Sequence, residues 1–277
     1  IEFDIADSVT EEAVALFRPE LIIAPFLKRA IPESIWSRHV CLVVHPGVVG
    51  DRGPAALDWA IQKALPSWGV TVLQAETEMD AGPLWASASF PLRAAKKSSI
   101  YRNEVTEAAV EAVLKAVARY QAGDFVPQRV PGQAHAPMKQ VDRAIDWQRA
   151  GSAEVLARLN AADGFPGVAD SLFGQPCHLF DAWPEASLKG EPGGLLGRRE
   201  TAVLRATADG AVWIGHVRPA GGLKLPATQA FPEAAGLPEL PLADCWKSPT
   251  PTWQDIAYEE AGGVGFLSFE FYNGAMS

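Results

Sequence analysis

As far as Phe125 the chain alternates short apolar runs with amphipathic stretches. Ile1 to Ala6 alternates apolar and acidic side chains, which suits a strand. Thr10-Glu11-Glu12 starts a helix running through Phe17: the hydroxyl can cap the first amides, and the acids complement the positive end of the helix dipole. Pro19 ends it. Leu21-Ile22-Ile23-Ala24 and Val40-Cys41-Leu42-Val43-Val44 are short apolar runs of the kind found in strands buried on both faces. Pro54 to Leu65 reads as a helix and Gly69-Val70-Thr71-Val72-Leu73-Gln74 as another strand. Ile100 to Gln121 reads as one long helix, with Val105, Ala109, Val113 and Val117 at four-residue spacing. Alternating strands and helices predict an α/β domain with a mainly parallel sheet.

Beyond Phe125 the pattern changes. Pro127, Pro131, Gly132 and Pro137 mark a linker without periodicity. Ser152 to Leu159 is one more helix. His178-Leu179-Phe180, Ala202 to Ala206 and Ala211-Val212-Trp213-Ile214 are strand-like runs broken by glycine and proline, the pattern of a small β-rich domain such as a barrel. Pro232 to Trp253 is proline-rich and extended. Gly263 to Phe269 reads as a strand opening a further domain, and the chain begins at Ile1 in mid-pattern, so both ends read as cut from a longer protein.

Composition narrows the function classes. The chain has 277 residues, 48% hydrophobic and 21% charged, which is ordinary globular composition with a length suited to about two domains. A net charge of -9 argues against a nucleic-acid partner. Arg93, Lys96, Lys97 and Arg102 form a small basic patch that reads as a solvated helix entrance. Cys41, Cys177 and Cys245 are too scattered for a disulfide scaffold or a zinc site, which fits a reducing, cytoplasmic setting. The five histidines do not pair at helical spacing, leaving metal catalysis little support, and no apolar run approaches a membrane span.

Two segments carry candidate chemistry. In Leu42-Val43-Val44-His45-Pro46-Gly47-Val48-Val49-Gly50-Asp51-Arg52-Gly53-Pro54 a buried strand runs into a histidine, a glycine-rich loop and a helix. Open α/β sheets bind ligands at the carboxyl ends of their strands, where His45 would sit. In isolation, a strand-end histidine bonding a nearby carbonyl is the commoner case. In the second segment, Gly69 to Pro83, another strand opens into a loop with Glu76, Glu78 and Asp80. Each acid alone is most simply solvated; a carboxylate paired with His45 would orient the imidazole, but periodicity does not show that these loops meet. There is no Walker loop, no G-x-G-x-x-G after a strand and no G-x-S-x-G elbow.

Together the two segments resemble the folate-dependent formyltransferases, which have a strand ending in N-x-H, a loop carrying R-G and a later aspartate before glycine. His45, Arg52-Gly53 and Asp80 in Met79-Asp80-Ala81-Gly82 match these. Ala144-Ile145-Asp146-Trp147, Asp163-Gly164-Phe165-Pro166-Gly167 and Asp209-Gly210-Ala211-Val212-Trp213 extend the resemblance into a C-terminal domain. His45-Pro46-Gly47, Gly50 to Pro54, Leu57 to Ile61 and Ser98 to Ala109 are similar to a branch serving nickel-iron hydrogenase maturation, in which a crotonase-family domain follows the formyltransferase half. The resemblance implies a Rossmann-like catalytic domain over 1–126, lacking the family's first strand and helix. It further implies a linker and OB-like domain over 127–231, a proline-rich linker over 232–256 and the start of a crotonase-like domain at 257–277.

The implied donor is formyl-tetrahydrofolate and the implied acceptor coenzyme A, with carbon monoxide for the hydrogenase released by the second half. The implied partners are these small molecules and hydrogenase maturation proteins, with no membrane. His45 would polarise the formyl group or take the acceptor's proton, and Asp80 would orient His45 and relay protons. The backbone of Pro25, Phe26 and Leu27 matches the pterin-holding segment, and Val43, Arg52 and Gly53 complete the implied substrate-binding set. Val43 departs from the family's asparagine, an oxyanion donor whose loss typically costs about a hundred- to a thousandfold in rate. A thiol acceptor, already partly thiolate at neutral pH, depends less on such help than an amine. An amine acceptor (aminoacyl-tRNA or a sugar amine) and an inactive folate- or CoA-binding module stay open.

Overall fold

The computed structural model describes residues 7–27 and 29–240, with the backbone of Ile256–Ala261 and Val264–Phe269; the strand expected over Ile1 to Ala6 lies outside these. The chain divides into two compact units, Ile1–Asp142 and Arg143–Ser277.

The first unit starts with α1 (Asp7–Phe17), β1 (Leu21–Pro25), α2 (Glu33–Trp36), β2 (Val40–His45), a short β3 (Asp51–Arg52), α3 (Ala56–Gln62), β4 (Ser67–Gln74) and β5 (Leu84–Pro91). Its sheet has the order β1-β2-β4-β5. Cys41, Leu42, Val44, Val70 and Val72 are fully buried at its centre, as runs of β-branched and aliphatic residues lead one to expect. The sheet is mixed rather than mainly parallel. β1 and β2 are parallel, but β4 runs antiparallel to β2, and β5 antiparallel to β4.

The 46–66 connection carries the seven-residue α3, which rises only about 10 Å, and β4 enters the sheet antiparallel to β2. The 75–83 connection holds no helix and is shorter than the dozen or more residues that a parallel crossover needs, so β5 folds back beside β4.

The predicted long helix is also interrupted. It forms as α4 (Lys97–Ile100), a π turn over Tyr101–Val105, and α5 (Thr106–Ala122), which stops at Gly123 in a left-handed conformation. Ile100 and Val105 are both fully buried, yet five residues apart on an α-helix they would diverge around the axis. The wider π turn brings both to the inner face. On α5 the buried residues are Ala108, Ala109, Ala112 and Ala116, small side chains that let the helix sit close on β4 and β5. The predicted linker supplies β6 (Gln133–Ala134), which pairs with β3, before α6 (Gln140–Arg143).

In the second unit, α7 (Ser152–Ala161) packs Val155 and Leu159 among Leu179, Val212, Ile214 and Val217 of an antiparallel sheet, the small OB-like β domain. Its strands are β7 (Val168–Leu172), β8 (Gln175–Glu185), β9 (Leu195–Arg199), β10 (Ala202–Ala206) and β11 (Ala211–Pro219) in the order β7-β8-β11-β10-β9, with β12 (Leu225–Pro226) against β11. The expected strand over Gly263 to Phe269 is present as Val264–Phe269, paired antiparallel with Ile256–Ala261. Residues 270–277, which the resemblance includes in a further domain, lie outside the described residues.

Helix α7 has no cap of its own at Gly151; Asp209 supplies one, its carboxylate accepting the Ser152 amide at 2.7 Å and the Thr207 hydroxyl at 3.1 Å. The bond from the Ser152 amide, followed by that from Thr207, holds the Asp209 carboxyl below its usual range. A lowered carboxyl pKa contributes stability that is present above the unfolded value and lost as pH falls through the folded one. Asp209→Ala is therefore expected to lower the thermal midpoint at pH 7. The gap to the parent should shrink on acidification through the carboxylate range, as read by circular dichroism melts.

Candidate active site

Strand β2 ends at His45, whose ring is almost fully buried. Val43, two residues earlier, shares its face of the sheet, because strand side chains alternate. The indole of Trp68 donates to the Pro46 carbonyl at 2.9 Å and anchors the chain as it leaves the strand.

The 46–53 loop then lies against the 131–135 segment. The Gln133 amide donates to Gly50 O at 2.8 Å and the His135 amide to Arg52 O at 2.9 Å. Gly50 and Gly53 have φ of 89° and 95°, and a Cβ on either would come within 2.9 Å of a backbone oxygen of that segment (Pro131 and His135 respectively). Glycine is required there by both backbone angle and space. This clamp carries Asp51 beneath His45. His45 Nε2 lies 2.8 Å from Asp51 Oδ2, within hydrogen-bond distance, and His135 Nε2 lies 3.0 Å from Asp51 Oδ1. A Cβ on Gly47 would fall 2.3 Å from His45 Nε2 and 2.6 Å from Asp51 Oδ2, so only glycine leaves room for that bond.

Asp80 reaches the other side of the ring, with Oδ2 3.5 Å from His45 Nδ1 and accepting the Gly53 amide at 3.1 Å. The route differs from a meeting of two parallel strand ends. In the antiparallel register His45 lies opposite Thr71, and Gln74, the end of β4, lies opposite Leu42. The 75–83 loop must therefore double back. It is closed by the Gln74 amide on Pro83 O at 2.9 Å and turns at Asp80, with φ 55°. Of the three acids in this loop, Glu76 pairs with Arg129 and Glu78 with Arg52, and Asp80 turns inward.

Of the remaining sequence-predicted residues, Leu27 and Val43 line a pocket together with Arg29, Leu73, Met79 and Asp80. The Phe26 amide donates to Val44 O at 3.1 Å, tying the end of β1 to β2, and Phe26 adopts φ 55° with its ring edge-on to Tyr101 at 5.9 Å. Pro25 lies opposite Val44. Arg52 is directed elsewhere: its guanidinium donates to Val130 O at 3.2 Å and faces Glu78, and its Nε crosses Gly132.

In the basic patch, Lys97 is largely buried on the Asp58 carboxylate at 3.0 Å, and Arg93 pairs with Glu104. The entrance is thus partly neutralised rather than simply solvated. Burial, and then the charge of Asp58, push the Tyr101 hydroxyl up to about 12. Asp51 and His135 are the members of the cluster that sequence reasoning did not single out. An acid in a glycine-rich loop was the only signal for Asp51, and nothing local marked His135.

Residues 4–117 match the family described as Formyl transferase, and residues 137–234 match Formyl transferase, C-terminal domain. The chain belongs to the formyltransferase family. It is 53% identical to the hydrogenase maturation factor HoxX of Bradyrhizobium diazoefficiens over 285 residues, covering 100% of this chain and 49% of that protein. A crystal structure of HypX from Aquifex aeolicus in complex with tetrahydrofolic acid superposes with a TM-score of 0.85 at 46% identity, covering 99% of this chain and 49% of that one. The chain thus spans about half the length of these relatives. Methionyl-tRNA formyltransferase of Dechloromonas aromatica is 25% identical over 80% of this chain and 73% of its own.

Two glycine substitutions test the clamp. Gly53→Ala combines a left-handed φ with a Cβ 2.8 Å from His135 O, and should destabilise by about 2–4 kcal/mol. Gly123→Ala, also at positive φ but with nothing within 4 Å of its Cβ, should cost only about 1–2 kcal/mol of backbone strain. Urea unfolding of the two variants checks the difference.

Proposed function

We propose that this chain transfers the formyl group of formyl-tetrahydrofolate to the thiol of coenzyme A, the first stage of carbon monoxide ligand synthesis for a nickel-iron hydrogenase. The observation that carries the reading is the buried His45, bracketed by Asp51 and Asp80 and sharing a face with Val43. The likeness to HoxX and HypX supports the maturation role, and the tetrahydrofolic acid named with HypX supports the donor. On this reading the pterin lies along the backbone of Pro25, Phe26 and Leu27, with the formyl group towards Val43, Asp80 and the Gly53 turn. Residues 257–277 open the crotonase-like half in which formyl-CoA releases carbon monoxide.

The chemistry needs a proton moved, not a redox change. As sulfur attacks the formyl carbon, the thiol proton goes to His45. When the carbon–nitrogen bond to folate breaks, that proton returns to the folate nitrogen. Asp80 faces the imidazole through this cycle. The low dielectric of the buried site strengthens each of these interactions. Val43 offers no hydrogen bond to the developing oxyanion, and Arg52 is occupied by Val130 O and Glu78, which leaves backbone amides of the surrounding turns to donate. A thiol nucleophile tolerates that economy better than an amine.

Initial rates with saturating folate donor, CoA and a primary amine, from pH 6 to 10, test the reading on the full-length protein. CoA should be formylated and the amine hardly touched. His45→Ala should lose about a hundred- to ten-thousandfold, less at alkaline pH where the thiolate forms unaided. Val43→Asn should leave CoA transfer little changed. Faster transfer to the amine would replace the acceptor with an aminoacyl or sugar amine. No transfer to either would leave a folate- or CoA-binding module.

A further inference from the structure

We infer that Asp51, not Asp80, is the residue that orients His45, so that Nε2 carries the fixed proton and Nδ1 is the ring atom that works. The inference rests on the catalytic reading of His45 for its kinetic consequences, though not for its geometry. Asp51 makes the shorter contact, 2.8 Å to Nε2 against 3.5 Å from Asp80 to Nδ1. An ionised carboxylate only accepts hydrogen bonds, so the proton in the Asp51 contact belongs to the imidazole nitrogen. In a neutral ring that leaves the lone pair on Nδ1, facing Asp80. This is the logic of a catalytic base oriented by a third group.

Three further features show that the Asp51 contact is built. The Asp51 side chain is 3% exposed, so its charge is out of water and must be met by donors. His135 lies at its second oxygen, delivered there by the pairing of Asp51–Arg52 with Gln133–Ala134. Gly47 is the residue without a Cβ where a Cβ would strike both partners of the His45–Asp51 bond.

Asp80 is arranged differently. Its Oδ2 takes the Gly53 amide, it sits on a positive-φ turn, and it lines the pocket beside Val43. The two aspartates therefore divide the work. Asp51 holds the ring from behind, and Asp80 faces the substrate side. In the transfer step the sulfur–hydrogen bond gives its proton to Nδ1 as the sulfur–carbon bond forms. The resulting imidazolium keeps Nε2–H on Asp51. As the carbon–nitrogen bond breaks, Nδ1–H returns that proton to the folate nitrogen.

The test is histidine-labelled ¹⁵N NMR of the full-length protein near pH 8, assigning the ring by comparison with His45→Gln, alongside steady-state kinetics. Wild type should show a protonated Nε2 and an unprotonated Nδ1 at His45. Asp80→Asn should keep that pattern. Asp51→Asn should reverse or average it and lower kcat about a hundredfold or more, with the KM for the folate donor changed only a few-fold. His135→Gln, which leaves the His45–Asp51 bond in place, should cost less than tenfold. A protonated Nδ1 in wild type, or an unchanged kcat in a folded Asp51→Asn, would overturn the inference. If His45→Ala retains full activity, the proposed mechanism fails instead, and the NMR pattern still decides whether Asp51 sets the tautomer.

Discussion

A carboxylate in the interior is the constraint around which the first unit is arranged. Asp51 is buried beneath the sheet's central strand end, where an unpaired charge would cost several kcal/mol. Its neighbours are the groups that offset this: His45 Nε2 at one oxygen and His135 Nε2 near the other. Bringing His135 there requires the 131–135 segment to lie along the 50–53 loop, which in turn requires glycine at 50 and 53. Gly47 is required by the His45–Asp51 bond itself. One buried charge thus accounts for three glycines, a two-residue parallel pairing, and the packing of a proline-rich stretch that has no periodicity of its own.

The second constraint is strand direction. Because β4 runs antiparallel to β2, the loop that carries Asp80 leaves the sheet opposite Leu42 and has to return towards His45. That return forms the wall of the pocket, with Leu73, Met79 and Asp80 on one side and Leu27 and Arg29 on the other, over Val43. It also sorts the loop's acids: all three line the pocket, but Glu76 and Glu78 pair with guanidinium groups, and Asp80 is the one that faces His45. The Gly53 amide on Asp80 then joins the two loops, so the glycine-rich turn serves both aspartates. The π turn at Tyr101 adds a further fixed point, setting its ring against Phe26 at the end of β1.

Much of this was legible before any coordinates. The strands at Leu21, Val40 and Gly69, a helix ending at Phe17 and the β-rich second half follow from local patterning. The apolar runs at Val40 and Gly69 are buried on both faces, but β1 is only half-buried, with Ile23 exposed, because it ends the described sheet order. The first helix starts at Asp7, so Thr10 lies within it rather than capping it. His45 and Asp80 stood out through motif resemblance. Strand β5 was missed because Leu84-Trp85-Ala86-Ser87-Ala88-Ser89-Phe90 mixes small polar and apolar residues without strict alternation, and the π turn because a one-residue change in helical winding leaves the composition untouched.

Taken alone, the sequence determined most of the strand and helix segments and which histidine ends a buried strand, each of which depends on neighbours within a few residues, and it carried the family pattern of the two loops. Tertiary structure decided the rest: the direction of β4, the return of the Asp80 loop, the burial of Lys97 on Asp58, and the choice of Asp51 and His135 as companions of His45. Apart from the six-residue step between His45 and Asp51, those outcomes join residues separated by tens of positions. They are selected by register, by loop length, and by the need to match a buried charge with a donor, and none of these leaves a periodic trace in the chain.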